Sequence, residues 1–451
     1  MEIRNVRTPG LGDTTYVVAH EGIGVVVDPQ RDLDRFTAEL DRLDVELRWV
    51  LETHVHNDYV SGGRTLAARR GAELVLPAGS GAAFTHTPAF HHEDLGGERG
   101  LTLRPLHTPG HTPEHTSYLL LIDGEPVAAF TGGSLLVGAS GRTDLLGPER
   151  TEPLARLQHR SLTRLAELPD HVGVHPTHGQ GSFCTSGGAG EETSTIGDER
   201  RDNPALHQPD ADAFVAHATA GLEPWPTYYA RMGPINLHGP EGLDQPPTPA
   251  DLAPGEVAAR GADTWLVDAR PRDRVAAGHV PDAITVTLED RFGVWLGWLL
   301  PFDAPVQLVV DDDQDVEEAV RQLARIGFDS VEGVLRGVKG WDDEGRELRR
   351  FGRAHADDLV ARLRAGEDVQ VLDVRSPSEV AEAPLPGAVT RYVPDLVDGP
   401  PDGLDPARPT WVVCGNGFRS GIAAGLIARH GHRPVVVDES GAAEVLAGLD
   451  G

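Results

Sequence analysis

Two cysteines in 451 residues, Cys184 and Cys414, lie far apart in the chain, so no disulfide framework can be read and reduced thiols are expected. Lysine is nearly missing as well: Lys339 is the only one, and arginine carries the rest of the positive charge. Lysine and arginine together number 40 against 70 acidic residues. The formal net charge of −30 argues against a nucleic-acid partner and against binding to an anionic membrane surface. No stretch approaches the roughly 18 to 20 uninterrupted apolar residues that span a bilayer, and the start "MEIRNVRTPG" has no apolar signal region. A cytoplasmic chain is the expectation. At about 100 to 200 residues per domain, the length calls for roughly three domains.

The first half alternates short apolar runs, such as "TTYVVAH", "GIGVVVDP", "RWVLETH" and "HTSYLLLI", with helical patterns. In "DLDRFTAELDRLD" the spacing of Phe36, Leu40 and Leu43 predicts a helix, with Asp32 as its cap. Strands alternating with helices, with polar residues gathered at strand ends, describe a layered α/β domain. The Pro-rich "LDQPPTPADLAPGE" marks a linker, so this domain ends near residue 240. The second half holds a weak repeat. Asp-x-Arg at Asp268 and at Asp373 each follows an apolar run, and each precedes a helical pattern and a Pro-x-Ala turn at Pro281 and Pro386. Two copies of one α/β unit are the natural reading.

Metal-ligand types cluster in three loops that follow apolar runs. "THVHNDYVSGG" offers His54, His56 and Asp58; "HTPGHTPEH" offers His107, His111 and His115; "HPTHG" offers His175 and His178. Imidazole suits zinc and iron alike, so ligand type alone does not choose the metal. A second signal is "WVVCGNGFRSGIAAGLIARHG". An apolar strand runs into Cys414, Gly415, Asn416, Gly417 and Phe418 form a short loop, and Arg419 leads into a helix. Inward-turned backbone N–H groups and a helix N-terminus would stabilise a thiolate there. The matching strand of the first repeat, "VQLVV", runs instead into "DDDQDVEEA". Asp311 stands near the cysteine position without nest glycines or arginine, so this copy should be catalytically silent.

Taken in order, "THVHNDYVSGG", "HTPGHTPEH", "FTGGSLLVGASGRTDL" and "HPTHG" resemble the metallo-β-lactamase fold, and within it the persulfide dioxygenases, relatives of glyoxalase II, in forms fused to rhodanese domains. The Cys414 loop resembles that of active rhodaneses, and its six-residue cradle from Cys414 to Arg419 has the sulfur-carrying size. The resemblance implies an αββα sandwich over residues 1–240, a linker over 241–252, a degenerate rhodanese-like domain over 253–350 and a rhodanese domain over 356–451. It implies metal ligands at His54, His56 and His111, with Asp58, the position of Tyr59, His178 and a bridging Asp for a second ion. The family's bridging Asp is here Gly133, so a second ion has lost two ligands, and the dioxygenase triad of positions 54, 111 and 133 has lost its carboxylate. One metal held by His54, His56 and His111 is the expected geometry, with Asp58 and His178 behind it.

Tyr59 could donate a hydrogen bond to a bound anion or pack, and Arg142 in "GRTD" could pair with a substrate carboxylate or with Asp144. One Fe(II) per chain is the expected cofactor, with Zn(II) as the alternative. The expected reactants are a low-molecular-weight thiol persulfide, O2, sulfite or thiosulfate, with Cys414 and Arg419 carrying sulfur transfer. Relatives commonly associate through the first domain, so a homo-oligomer belongs to the same expectation. The rival readings are a mononuclear zinc thioester-type hydrolase with a rhodanese, and a degenerate metal domain that leaves Cys414 as the one active centre.

Overall fold

The computed structural model describes residues 1–186 and 192–450. The chain divides into two compact units, Met1–Pro246 with Arg321–Gly327, and Pro247–Val320 with Phe328–Gly451. No described helix is long and apolar enough to cross a membrane.

The first unit is built on two six-stranded sheets. One runs in chain order: β1 (Glu2–Thr8), β2 (Asp13–His20), β3 (Ile23–Val27), β4 (Glu46–Leu51), β5 (Glu73–Pro77) and β6 (Thr87–Ala89). Its first three strands are antiparallel and the rest parallel. The other sheet uses β7 (Leu95–Gly96), β8 (Leu101–His107), β9 (Thr116–Ile122) and β10 (Glu125–Gly132). A small hairpin of β11 (Leu135–Leu136) and β12 (Ala139–Ser140) follows, and then β13 (Gly173–Pro176) and β14 (Ser194–Thr195) complete that sheet.

Alternation assigns the faces. Val25, Val27, Trp49 and Leu51 join Leu103, Tyr118, Leu120 and Phe130 in one core, while Val26 and Val50 join Phe36, Leu40 and Leu66 of the helices Asp34–Leu43 and Gly63–Arg70 in another. Side chains two apart share a strand face, so both faces of this sheet are apolar and both are covered. Ala129 and Val174 pack on the far side of the second sheet with Leu162 and Leu165 of the helix Pro148–Leu165. The result is the αββα layering expected from the sequence. One local expectation is corrected: Asp32 does not cap the helix Asp34–Leu43, whose N-cap is Leu33, but pairs with Arg35 at 2.7 Å.

The second unit contains two parallel sheets. The first consists of β15 (Trp265–Asp268), β16 (Ile284–Thr285), β17 (Val306–Val310) and β18 (Val331–Arg336), in the order β16-β15-β17-β18. The second consists of β19 (Gly352–Ala354), β20 (Gln370–Asp373), β21 (Val389–Thr390), β22 (Pro409–Val413) and β23 (Arg433–Val437), in the order β19-β23-β22-β20-β21. Set β20 against β15 and the shared strand orders coincide. The Asp-x-Arg pairs coincide too. Arg270 forks onto Asp268 and donates to the Gly278 carbonyl at 2.7 Å; Arg375 forks onto Asp373 and donates to the Ala383 carbonyl at 2.7 Å. Each of these arginines is buried and spent on structure. The expected end of the last segment, residue 451, lies outside the described residues.

Candidate metal centre and cysteine cradle

Strand ends and one connecting loop bring the ligand types together. β4 runs out into His54, His56 and Asp58, β13 into His178, and the connection between β8 and β9 carries His111. All five side chains are buried.

Three histidines are fixed in the same way. The Thr53 hydroxyl donates to Asp28 Oδ2 at 2.7 Å, so it accepts from His54 Nδ1, 2.8 Å away. His111 Nδ1 lies 2.8 Å from the Arg142 carbonyl, and His178 Nδ1 lies 2.8 Å from Asp13 Oδ1. Each ring therefore carries its proton on Nδ1 and keeps a lone pair on Nε2. Ligand atoms of His54, His111 and His178 lie within 4.8 Å of one another, and His54 Nε2 is 3.2 Å from His178 Nε2. Two facing lone pairs at that distance repel unless a cation lies between them, and an acceptor that fixes the far ring nitrogen is the usual support of a metal-binding histidine. The donor set fits one divalent ion.

Burial lowers His54 and His111 well below the ordinary imidazole range, with neighbouring histidines adding to it, and burial lowers His178 against the pull of Asp58. Neutral imidazoles are the form that a metal needs. His56 differs. Burial would lower it, but Asp28 and Glu52, 3.2 and 3.3 Å from its Nε2, hold it well above its ordinary value. It belongs to two further groups, one with Asp28 and His54 and one with Asp58 and His178. Sequence reasoning put His54, His56 and His111 in one metal face with His178 behind it; in the structure His54, His111 and His178 converge as one group, while His56 converges with Asp28 and His54 and with Asp58 and His178. Asp58 has no hydrogen-bond partner on either oxygen among the described residues, although Oδ2 lies 3.3 Å from His178 Nδ1. Burial raises Asp58 to about 7 and Asp13 likewise to about 7.

Tyr59 stacks on His56 with ring centroids 4.3 Å apart, and its hydroxyl donates to the Asp28 carbonyl at 3.2 Å. Arg142 forks onto Asp144 and also donates to the carbonyls of Phe183 and Glu223, so its guanidinium is spent within the protein and its backbone carbonyl serves the centre. His115 holds the Gly133 N–H at 3.0 Å, while His107 is exposed and His175 packs against Tyr16 and Phe130. Cys184 is buried 3.8 Å from the Tyr229 hydroxyl. Sequence reading missed Asp13, Asp28 and Glu52. An acid closing the apolar run "GVVVD" was a usable signal for Asp28; Asp13 gave none.

The cradle forms where β22 meets the helix Phe418–Arg429. Gly417 has φ +96°, and a Cβ on it would lie 2.1 Å from Asp438 Oδ1, so no side chain fits there. Its N–H donates to Cys414 Sγ at 3.2 Å, and the Phe418 N–H donates to Asn416 Oδ1 at 3.2 Å. Arg419 pairs with both oxygens of Glu379, at 2.5 and 2.7 Å. Half-burial would raise Glu379, but Arg419 pulls it down to about 2. Ser376 fixes Glu379 by a capping box. At the corresponding strand end of β17 stands Asp311, raised by burial, with a hydrogen bond from its N–H to Gln314.

Comparison with known proteins matches the two halves of the chain to different families. Residues 8–178 match the family model described as the Metallo-beta-lactamase superfamily, and residues 355–446 match the rhodanese-like domain. A probable metallo-hydrolase of Burkholderia pseudomallei is 30% identical over 213 residues, which cover 42% of this chain and 70% of that protein. The mitochondrial persulfide dioxygenase of Homo sapiens is 29% identical over 225 residues, covering 49% of this chain and 75% of that protein. A crystal structure of a metallo-beta-lactamase from Staphylococcus aureus aligns with a TM-score of 0.67 at 27% identity, over 75% of this chain and 99% of that one.

Proposed function

The chain belongs to the metallo-β-lactamase superfamily, as a member fused to a rhodanese-like domain and related to persulfide dioxygenases, and on that premise we propose that it metabolises thiol persulfides at two centres. The first oxidises a low-molecular-weight thiol persulfide with O2 and water to the free thiol, sulfite and two protons. The second moves sulfane sulfur through Cys414. The observation that supports this reading is the single face of His54, His111 and His178, each ring pinned at Nδ1.

One Fe(II) on this face would supply the one-electron chemistry that O2 requires. The chain's own part is to keep three imidazoles neutral, to hold their Nε2 lone pairs on one point, and to keep those three rings buried. At the second centre, Cys414 Sγ attacks the terminal sulfur of the donor persulfide. The donor S–S bond breaks, the thiolate leaves with the bonding pair, and Cys414 holds the sulfur. Sulfite then attacks that outer sulfur, releasing thiosulfate and the Cys414 thiolate. The Gly417 N–H beside Sγ and the Arg419 guanidinium favour the anionic forms in both steps.

Within this reading, residues 1–240 form the metal domain, 241–252 the linker, 253–350 a silent rhodanese-like copy and 356–451 the active one. Support for a second rhodanese-like copy is the shared strand order and the twin Asp-x-Arg pairs, and for its silence Asp311 after β17, where Cys414 follows β22 in the other. The test is O2 uptake and sulfite formation by protein loaded anaerobically with iron and given a thiol persulfide. No uptake with any thiol persulfide sinks the oxygenase half.

A second reading rests on the same three-histidine face, which also suits zinc with an open fourth position and a bound water of pKa about 7. Protein that is purified with zinc and cleaves a thioester without taking up O2 would establish that hydrolase in place of the oxygenase.

A further inference from the structure

Three neutral imidazoles bring no negative charge to a divalent ion, and residue 133, where the family pattern has its carboxylate, is glycine. The structure offers a replacement from a different strand. Asp13 opens β2 and is fully buried. Its Oδ1 lies 2.8 Å from His178 Nδ1, and the carboxyl of Asp58, the other acid beside that ring, interacts with the Asp13 carboxyl directly. No arginine or lysine forms an ion pair with Asp13 among the described residues; its partner is the neutral His178 ring. A buried carboxylate so placed costs free energy unless a nearby cation offsets it.

Backbone contacts fix the pair. Asp13 and His178 form an antiparallel bridge, the Thr14 N–H donates to the Thr177 carbonyl at 2.8 Å, and the Gly179 N–H donates to the Gly12 carbonyl at 2.8 Å. The carboxylate and the imidazole are therefore set by a backbone bridge between the start of β2 and the chain after β13, and not by side-chain rotamers alone. The other two rings rest on neutral acceptors, the Arg142 carbonyl and the Thr53 hydroxyl. Only His178 has a carboxylate directly on its Nδ1, and a carboxylate there makes Nε2 a stronger donor to a metal.

We propose that Asp13 is the positioning carboxylate of the metal centre: it fixes His178 as a ligand and supplies, through that ring, the negative charge that Gly133 cannot. This inference rests on the three-histidine metal face proposed above. Asp58 lies beside the same ring but at the longer distance of 3.3 Å, so it is the lesser partner.

Cobalt(II) titration of full-length protein tests the idea, with the ligand-field absorption and competition against a chelator as readouts. The parent should bind one cobalt. Asp13→Asn, whose amide oxygen still accepts from Nδ1–H, should keep that stoichiometry with affinity about 10-fold weaker, and Asp13→Ala should lose about 100-fold and change the ligand-field spectrum. Thermal unfolding of the metal-free variants separates a folding defect from a binding one, and Asp13→Asn decides if the alanine variant does not fold. A parent that binds no cobalt overturns the metal face and Asp13's role with it. A parent that binds cobalt while both variants match its affinity and spectrum overturns the role of Asp13 alone.

Discussion

A Cβ placed on Gly133 would lie 2.2 Å from Cδ2 of His111, so the imidazole occupies the space in which any other side chain at residue 133 would begin. His111 has little freedom to yield. Its Nδ1 is held by the Arg142 carbonyl, and its backbone N–H donates to Gln158, whose amide in turn donates to the Ser134 carbonyl beside Gly133. Glycine at 133 and histidine at 111 are thus one packing solution, and an aspartate restored at 133 does not rebuild a carboxylate site. Gly133→Asp should weaken cobalt or iron binding at least about 10-fold, and overpacking should destabilise the fold by about 1–3 kcal/mol. Metal content after dialysis and denaturant unfolding measure the two effects; tighter metal binding by Gly133→Asp would refute this account.

Asn236 links the metal loop to the helix Tyr229–His238. Its amide N–H groups donate to the carbonyls of His56 and Tyr59, both at 2.9 Å, and its oxygen accepts from the Ser61 N–H at 2.8 Å. Tyr228 adds a hydrogen bond to the Asp58 carbonyl. Removing one side chain takes the Asn236 partner from the buried His56 and Tyr59 carbonyls and from the half-buried Ser61 N–H. Asn236→Ala should cost about 2–4 kcal/mol in urea unfolding and should loosen the 56–61 loop, read as faster amide exchange at Ser61. Unchanged exchange there would show that the helix does not hold the loop.

The layers of the first unit were legible because the strands are apolar runs and the helices have the right period. Val26 facing one core while Val25 and Val27 face the other follows from alternation alone. Loop histidines were legible as a set, but their division was not. Nothing in "THVHND" says that His56 turns its Nε2 to Asp28 and Glu52, because those acids reach it through the tertiary fold. Asp13 is hidden for the same reason: it is 165 residues from His178 and joined to it only by strand packing. In the cradle, the Ser376 and Glu379 spacing is a readable helix cap, yet its use as the seat of Arg419 depends on two segments 40 residues apart. Long-range electrostatics leaves no local pattern.

Glu379 offers a pH test. Its folded pKa of about 2 lies below the ordinary 4.5, because Arg419 outweighs burial. A depressed carboxyl stabilises the fold fully above 4.5 and loses that contribution as pH falls toward 2. Glu379→Gln should therefore reduce stability near neutral pH and flatten the fall in unfolding midpoint through that acid interval. The group is half exposed, so solvent screening keeps the effect modest. The same variant frees Arg419 and should lower the sulfur-transfer rate, while Arg419→Lys, which cannot fork onto two oxygens, should lower it as well. A rate unchanged in both variants would remove the pair from the cradle's working parts.

The two cysteines should behave oppositely. Burial pushes the Cys184 thiol well above its ordinary range, with Asp58 and Asp13 adding to the shift, and its sulfur lies 3.8 Å from the Tyr229 hydroxyl. Cys414 instead receives the Gly417 N–H at 3.2 Å, with the exposed Gly415 and Asn416 beside it at the mouth of the cradle. A thiolate is the reactive form, and burial at the Cys184 site opposes it, whereas Cys414 has an N–H donor on its sulfur in a loop that opens to solvent. After incubation with thiosulfate or a thiol persulfide, mass spectrometry should find one added sulfur on the parent and on Cys184→Ser, and none on Cys414→Ser. Oxygen uptake by the iron-loaded protein should survive Cys414→Ser, because sulfur transfer and persulfide oxidation use separate residues. Sulfur found on Cys184 in the folded parent would contradict this assignment, and loss of oxygen uptake in Cys414→Ser would mean that the two reactions are coupled through the cysteine.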